Sequence, residues 1–422
     1  IFLESETLFD LDDIIFTKYF ETIKNIKSKT LHREFIKILA NPNLEGQTAI
    51  SEKTHYIIKK LYEIGEIEKA YSLIKKIDIS EVSNQQSLEL FYFIELNYLY
   101  STFKLTEVCE LKSLLLEKSI NFPMYLLEKS DIFCLTLENK FAEAKLLNSL
   151  LLESEKETDV NFQNLFSYMI LKETDNNSFV FLSEIKSKEL IFLYSAMLRI
   201  NELALDADFI EIDPLNLSIP VILSESTKMD IRIKAANKAY FDEVLSINSL
   251  SALYQSVDFN STQLNNPEET IASLNNNNEM IMAFYYQLVN IQIFPDERLN
   301  VLLEYWNFAK ESGLEKIAYA ITSKTIETFT PNTENTQFGI DIAFAHISNK
   351  NYTDAYKWIE FYENITSEND RIAYARFLLN LNATNDLKTI TDYLSRDYIN
   401  LIKANNQSTN ESLEVLLDFL NI

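Results

Sequence analysis

Residues 53–77, KTHYIIKKLYEIGEIEKAYSLIKKI, set a pattern that the rest of the chain repeats. Ile57, Ile58, Leu61 and Tyr62 fall on one apolar stripe of a 3.6-residue period, with Lys59, Lys60 and Glu63 on the opposite side. Gly65 ends this run, because glycine adopts the left-handed conformation at a helix terminus without a side-chain penalty. A second stripe begins at once with Ile67, Ala70, Tyr71, Leu73, Ile74 and Ile77. Two amphipathic helices on so short a connection pack antiparallel, and Ala70 is small where they approach most closely.

The second-helix signature is an apolar residue followed three positions later by a small or β-branched one. It recurs as Ile67/Ala70, Leu105/Val108, Phe141/Ala144, Phe241/Val244, Leu314/Ile317, Tyr352/Ala355 and Leu387/Ile390. Neighbouring copies near each end stand roughly 35–38 residues apart, the period of stacked helix pairs. The segments NKFAEAKLLNSLL (139–151) and NKNYTDAYKWIEF (349–361) are the clearest. Over residues 50–175 and 230–400 these copies resemble tetratricopeptide repeats, although most of that family's consensus Trp and Pro positions are not matched. The resemblance implies an all-α chain, an α-solenoid of antiparallel helix hairpins wound into a superhelix of about ten pairs. Composition agrees with helix. With 4 Gly and 7 Pro in 422 residues, far below average usage of about 7% and 5%, little is left for β-hairpins or glycine-rich loops.

The pattern predicts an N-terminal repeat half (1–204), an irregular linker or extended excursion (205–222) and a C-terminal repeat half (223–422). In the middle segment Pro214 and Pro220 interrupt the helical period and apolar residues alternate at Ile210/Ile212 and Leu215/Leu217/Ile219. Its acids Asp206, Asp208, Glu211 and Asp213 raise a calcium reading, but they lack the glycine and terminal glutamate of an EF-hand loop, so a linker is expected. Ser408 and Glu411 are spaced as a capping box before the apolar run SLEVLLDFLNI, which is expected to cover the last repeat.

Charge and motifs narrow the function classes. A net charge of −25 argues against binding a nucleic-acid backbone or anionic lipid; it reads either as a solvated surface or as attraction for a partner protein with a basic surface. No apolar run is long enough for a transmembrane helix. The first residues, IFLESETLF, lack Met, so either a leader has been removed or the chain begins late. The three histidines, His32, His55 and His346, fall on different predicted helices without zinc-ligand spacing and read as packing or surface residues. Phosphate-cradling glycine loops, nucleophile elbows and kinase motifs do not occur, so no catalytic, cofactor-binding or metal-ligating residues are assigned.

Two further features bear on function. Cys109 and Cys134 each lie about 12 residues from the bend expected near residue 121, and equal distances from a turn put two residues side by side in an antiparallel pair. A disulfide stapling neighbouring repeats and a pair of free buried thiols both fit that placement. A disulfide would mean an oxidising compartment, periplasmic or otherwise exported; free thiols would fit the cytoplasm. The cysteine pair and the acidic, Asn/Lys/Ile-rich composition also resemble an uncharacterised family of exported helical-repeat proteins from alphaproteobacteria. Second, Tyr285, Tyr286, Tyr305 and Trp306 lie on aromatic-rich helices and are read either as core or as a partner-binding groove. The expected function is a non-enzymatic protein–protein interaction scaffold, a structural or accessory subunit of a cell-envelope assembly. Alternatives are the non-catalytic helical arm of a cell-wall enzyme complex and a cytoplasmic regulator or chaperone.

Overall fold

A computed structural model describes residues 12–22, 29–40, 52–118, 122–154, 158–172, 190–365 and 369–383. Among them every regular element is helical. The chain divides into two compact units, Ile1–Val244 and Leu245–Ile422.

In the first unit the helices are α1 (Asp13–Thr22), α2 (Lys29–Ala40), α3 (Glu52–Glu63), α4 (Ile67–Ile74), α5 (Gln85–Ser101), α6 (Leu105–Lys118), α7 (Met124–Leu137) and α8 (Phe141–Ser154). They continue with α9 (Val160–Leu171), α10 (Leu190–Ile200), α11 (Asp208–Ile212), α12 (Pro214–Leu223) and α13 (Met229–Phe241). From α3 to α8 each helix packs on the next, as the hairpin reading expects. The predicted small seam residues Ala70, Val108 and Ala144 are each fully buried.

One backbone device makes these turns. Gly65 has φ +91°, and the Glu66 N–H closes on the Leu61 carbonyl at 2.8 Å, the 6→1 bond of a Schellman motif. The same bond runs from Lys104 to Leu99 and from Lys140 to Leu135, both at 2.9 Å, around Phe103 and Asn139, each with φ +60°. Ile67, Leu105 and Phe141 come two residues after these left-handed positions, so the turn fixes the register of each second helix. The Phe241/Val244 copy lies in a different register, although the same bond runs from Val244 to Ala239 at 2.8 Å around Glu243 (φ +61°). Phe241 ends α13, and Val244 is exposed just past the left-handed Glu243.

The segment 205–222, expected as a linker or extended excursion, is largely helical. It lies inside the first unit, mostly in α11 and α12, and the division between units falls after Val244. Pro214 occupies the first turn of α12, where a missing N–H costs nothing, and Asp213 caps that helix by accepting from the Asn216 N–H at 3.2 Å. The helix survives the interior Pro220 because that residue, Leu217 and Val221 are buried against neighbours.

A second departure concerns α10. Its residues 190–198 are all buried, the signature of a helix enclosed on every side. It packs on α5 and α7 as well as on its neighbour α9, and α12 also reaches α5. These returning helices cover two of the hairpin turns. The Arg199 guanidinium of α10 sits 4.1 Å from the centre of the Phe103 ring. The Asn216 amide of α12 donates to the Gly65 carbonyl at 2.8 Å.

In the second unit the helices are α14 (Ile247–Gln255), α15 (Ser261–Asn265), α16 (Pro267–Ser273), α17 (Asn278–Ile291) and α18 (Pro295–Glu311). Then follow α19 (Glu315–Ile321), α20 (Ser323–Ile326), α21 (Gly339–Ser348), α22 (Tyr352–Glu363) and α23 (Asn369–Ala383). The turn device recurs. Leu314 donates to Ala309 at 2.7 Å around Gly313 (φ +71°), and Asn351 donates to His346 at 2.9 Å around Lys350 (φ +61°). Ile317 and Ala355 are fully buried at the seams. The Leu387/Ile390 copy and the expected C-terminal cap at 408–422 lie outside the described residues.

Candidate functional site

The two cysteines come together. Cys109 on α6 and Cys134 on α7 form a disulfide with Cα atoms 5.6 Å apart, the side-by-side placement that equal distances from the bend imply. One helical turn away on the same two helices, Lys112 Nζ meets Asp131 Oδ1 at 2.7 Å. Cys134 is fully buried, whereas Cys109 forms part of the wall of an open cleft of about 560 Å³. Leu105, Leu114 and Leu137 supply apolar wall, and Glu110, Glu117 and Glu138 supply carboxylates. Glu138 is held below the usual carboxylate range by its hydrogen bond from Lys140.

Deeper in the first unit the buried Lys129 ammonium lies 3.0 Å from Asp159 Oδ2, which also accepts from the Tyr194 hydroxyl at 2.5 Å. Asp159 Oδ1 caps α9 by accepting from the Phe162 N–H at 3.1 Å. One carboxylate therefore ties α7, α9 and α10 together. The Tyr100 hydroxyl donates to Ser130 Oγ at 2.8 Å, and burial pushes its pKa upward. These networks hold helices together; none leaves a titratable group open to a substrate.

The aromatic residues read as a possible groove turn inward. Tyr305 and Trp306 are core residues of the second unit, Tyr285 is buried against them and Tyr286 is half-buried. Tyr285 stacks on Tyr305 with ring centres 5.8 Å apart, and Trp306 Nε1–H donates to Thr322 Oγ1 at 3.2 Å. Burial raises the pKa of Tyr305 well above its ordinary value. Stripes at helical spacing face neighbouring helices here: Tyr285 and Tyr305 meet between α17 and α18, Trp306 packs on Tyr319 of α19, and Tyr286 meets Tyr254 of α14 edge-on.

The histidines are scattered. His32 Nε2 lies 3.5 Å from Glu66 Oε1, and His55 Nδ1 pairs with Ser87 Oγ at 3.0 Å. His346 is buried in α21, and desolvation lowers its pKa, countered by Asp354 and reinforced by Lys357. In the acidic stretch once open to a calcium reading, Asp213 caps α12 and Glu211 pairs with Lys234 at 2.9 Å. Among the described residues no three His, Cys, Asp or Glu side chains are grouped as metal ligands. Nor, among them, is any helix long and apolar enough to cross a membrane.

One surface feature escaped the sequence reading. The turn between α17 and α18 exposes Ile291, Ile293 and Phe294. Helical periodicity carries α17 to Ile293 and hides the turn; the available signal was an apolar run, IQIF, directly before Pro295.

The fold and these sites define an all-α protein, helical in every regular element among the described residues, with one disulfide in its first unit. No family model, no curated protein and no solved structure matches the chain.

Proposed function

We propose that this chain is a tetratricopeptide-like α-solenoid that serves as a non-enzymatic protein–protein interaction scaffold, a structural or accessory subunit of a cell-envelope assembly. The observation that supports this most is the repeated turn. Gly65, Phe103, Asn139, Gly313 and Lys350 all take the left-handed conformation at hairpin bends, and a buried small or β-branched residue follows in each second helix. Stacks of such units present long surfaces to other proteins. The net charge of −25 favours partners with basic surfaces. The Cys109–Cys134 pairing favours an oxidising compartment, periplasmic or otherwise exported, over the cytoplasmic alternative.

Affinity capture of the chain from its native cells, followed by sizing of the recovered complex, tests the scaffold reading. A stoichiometric protein partner is expected, and recovery of the bait alone would overturn it. A cell-wall hydrolase as that partner would select the accessory-arm version. Thiol titration under denaturing, non-reducing conditions tests the compartment. No free thiol is expected, and two free thiols would remove the case for export.

A further inference from the structure

We infer that the α17–α18 turn is a preformed anchor that inserts Ile293 and Phe294 into an apolar slot, edged by lysine or arginine, on a partner protein; the inference rests on the scaffold reading. Ile293 is 82% exposed, Phe294 64% and Ile291 46%. Three large apolar side chains within four consecutive residues face water at one point. Such a concentration marks an interaction site more often than scattered surface leucines do.

The turn is held in place before anything binds. Arg298 Nε donates to the Gln292 carbonyl at 3.0 Å, its Nη2 donates to the same oxygen, and the Arg298 N–H donates to the Phe294 carbonyl at 3.0 Å. Pro295 fixes the first position of α18. The main chain on both sides of Ile293 is thereby fixed, so little backbone entropy remains to be lost on docking.

Charge selects the occupant. Asp296 and Glu297 stand exposed immediately beside the tip, and the neighbouring cation, Arg298, is engaged with the Gln292 carbonyl. An anionic bilayer would meet two carboxylates first. A second copy of the turn would bring the same two carboxylates against them, on chains that each carry −25. A slot with a basic rim satisfies both the apolar side chains and the acids. Aromatic side chains at the centre of an interface carry much of its binding energy, which gives Phe294 the leading role.

The test uses the full chain and an amphipathic leucine–lysine helical peptide, whose apolar face is bordered by ammonium groups, with a leucine–glutamate peptide as control. Calorimetric titration is expected to show the leucine–lysine peptide binding about tenfold more weakly to Ile293→Ser/Phe294→Ser and about threefold more weakly to Asp296→Asn/Glu297→Gln. Unchanged affinity for the serine variant would mean general attraction to an acidic surface and would sink the inference. Equal binding of the leucine–glutamate peptide would sink it as well.

If the serine variant does not fold, Phe294→Trp decides. Its exposed indole is expected to shift to shorter emission wavelength when the leucine–lysine peptide is added, and an unmoved spectrum counts against the anchor. Two further results would overturn it in favour of another occupant. One is cosedimentation of the wild-type chain with phosphatidylglycerol vesicles that the serine variant loses. The other is a concentration-dependent dimer lost in the same variant. Failure of the tip leaves the scaffold reading intact, since that reading falls only if native capture recovers no stoichiometric partner.

Discussion

The two units build hairpins with the same turn but secure them differently. In the first unit, later helices come back over the early turns. Asn216 holds the Gly65 carbonyl, Arg199 covers Phe103, and the half-buried Asp159 gathers Lys129 and Tyr194. Both cysteines are there, joined across α6 and α7. The second unit has no cysteine but holds both tryptophans, Trp306 and Trp358, and joins α17 to α18 through stacked tyrosines. At its Gly313 turn no atom beyond the glycine and its two chain neighbours lies within 4 Å of where a Cβ would stand. A local turn motif thus specifies a hairpin without specifying what closes over it. Cross-links and charge can do that, or aromatic volume.

The largest expected effect probes the aromatic side of this contrast. Trp358 is fully buried on α22, so Trp358→Ala should cost about 4 kcal/mol, read as faster hydrogen exchange in residues 245–383. Exchange in the first unit should stay as it was; an equal rise there would show that the two units are not separate in stability. Next, the paired substitution Cys109→Ser/Cys134→Ser, or chemical reduction, should cost about 3 kcal/mol and speed exchange in α6 and α7. An unchanged melting profile would mean the clip is redundant with the Lys112–Asp131 pair beside it.

A glycine pair sharpens the comparison directly. Both Gly65 and Gly313 have positive φ, but a Cβ on Gly65 would stand 3.1 Å from Leu215 Cδ1 on α12, while one on Gly313 meets open space. Gly65→Ala should therefore cost about 2 kcal/mol and Gly313→Ala about 1 kcal/mol. Equal penalties in thermal melts would say that α12 yields freely at the first turn.

The smallest effect is one of pH. Burial holds the His346 pKa below its ordinary value of 6.5, so the unfolded chain takes up the proton first. The second unit's stability is then fully present above pH 6.5 and declines as pH falls through the folded-state pKa. His346→Gln should flatten that decline, and an NMR titration of the ring with a midpoint above 6.5 would contradict it.

Much of the local design was legible in residue spacing. The stripes of α3 and α4, the break at Gly65 and the buried seam at Ala70, Ala144 and Ala355 follow from one helical period. The cysteine register was also readable, since distance from a bend is counted along the chain, although spacing left the oxidation state open. The surface tip at Ile293 was not, because an apolar residue at the end of a helical run looks the same buried or exposed.

By itself, then, the sequence determined that the described residues are helical and where the hairpins at Gly65, Phe103, Asn139, Gly313 and Lys350 bend, because both depend on interactions between residues a few positions apart. Tertiary structure alone decided what closes over those bends, Asn216 of α12 at Gly65 and Arg199 of α10 at Phe103. It also decided that 205–222 is largely helical, that α10 is enclosed and that Tyr305 and Trp306 face inward. Those outcomes rest on partners such as Asn216 for Gly65, 151 residues away, and a period of 3.6 carries no information about so distant a neighbour.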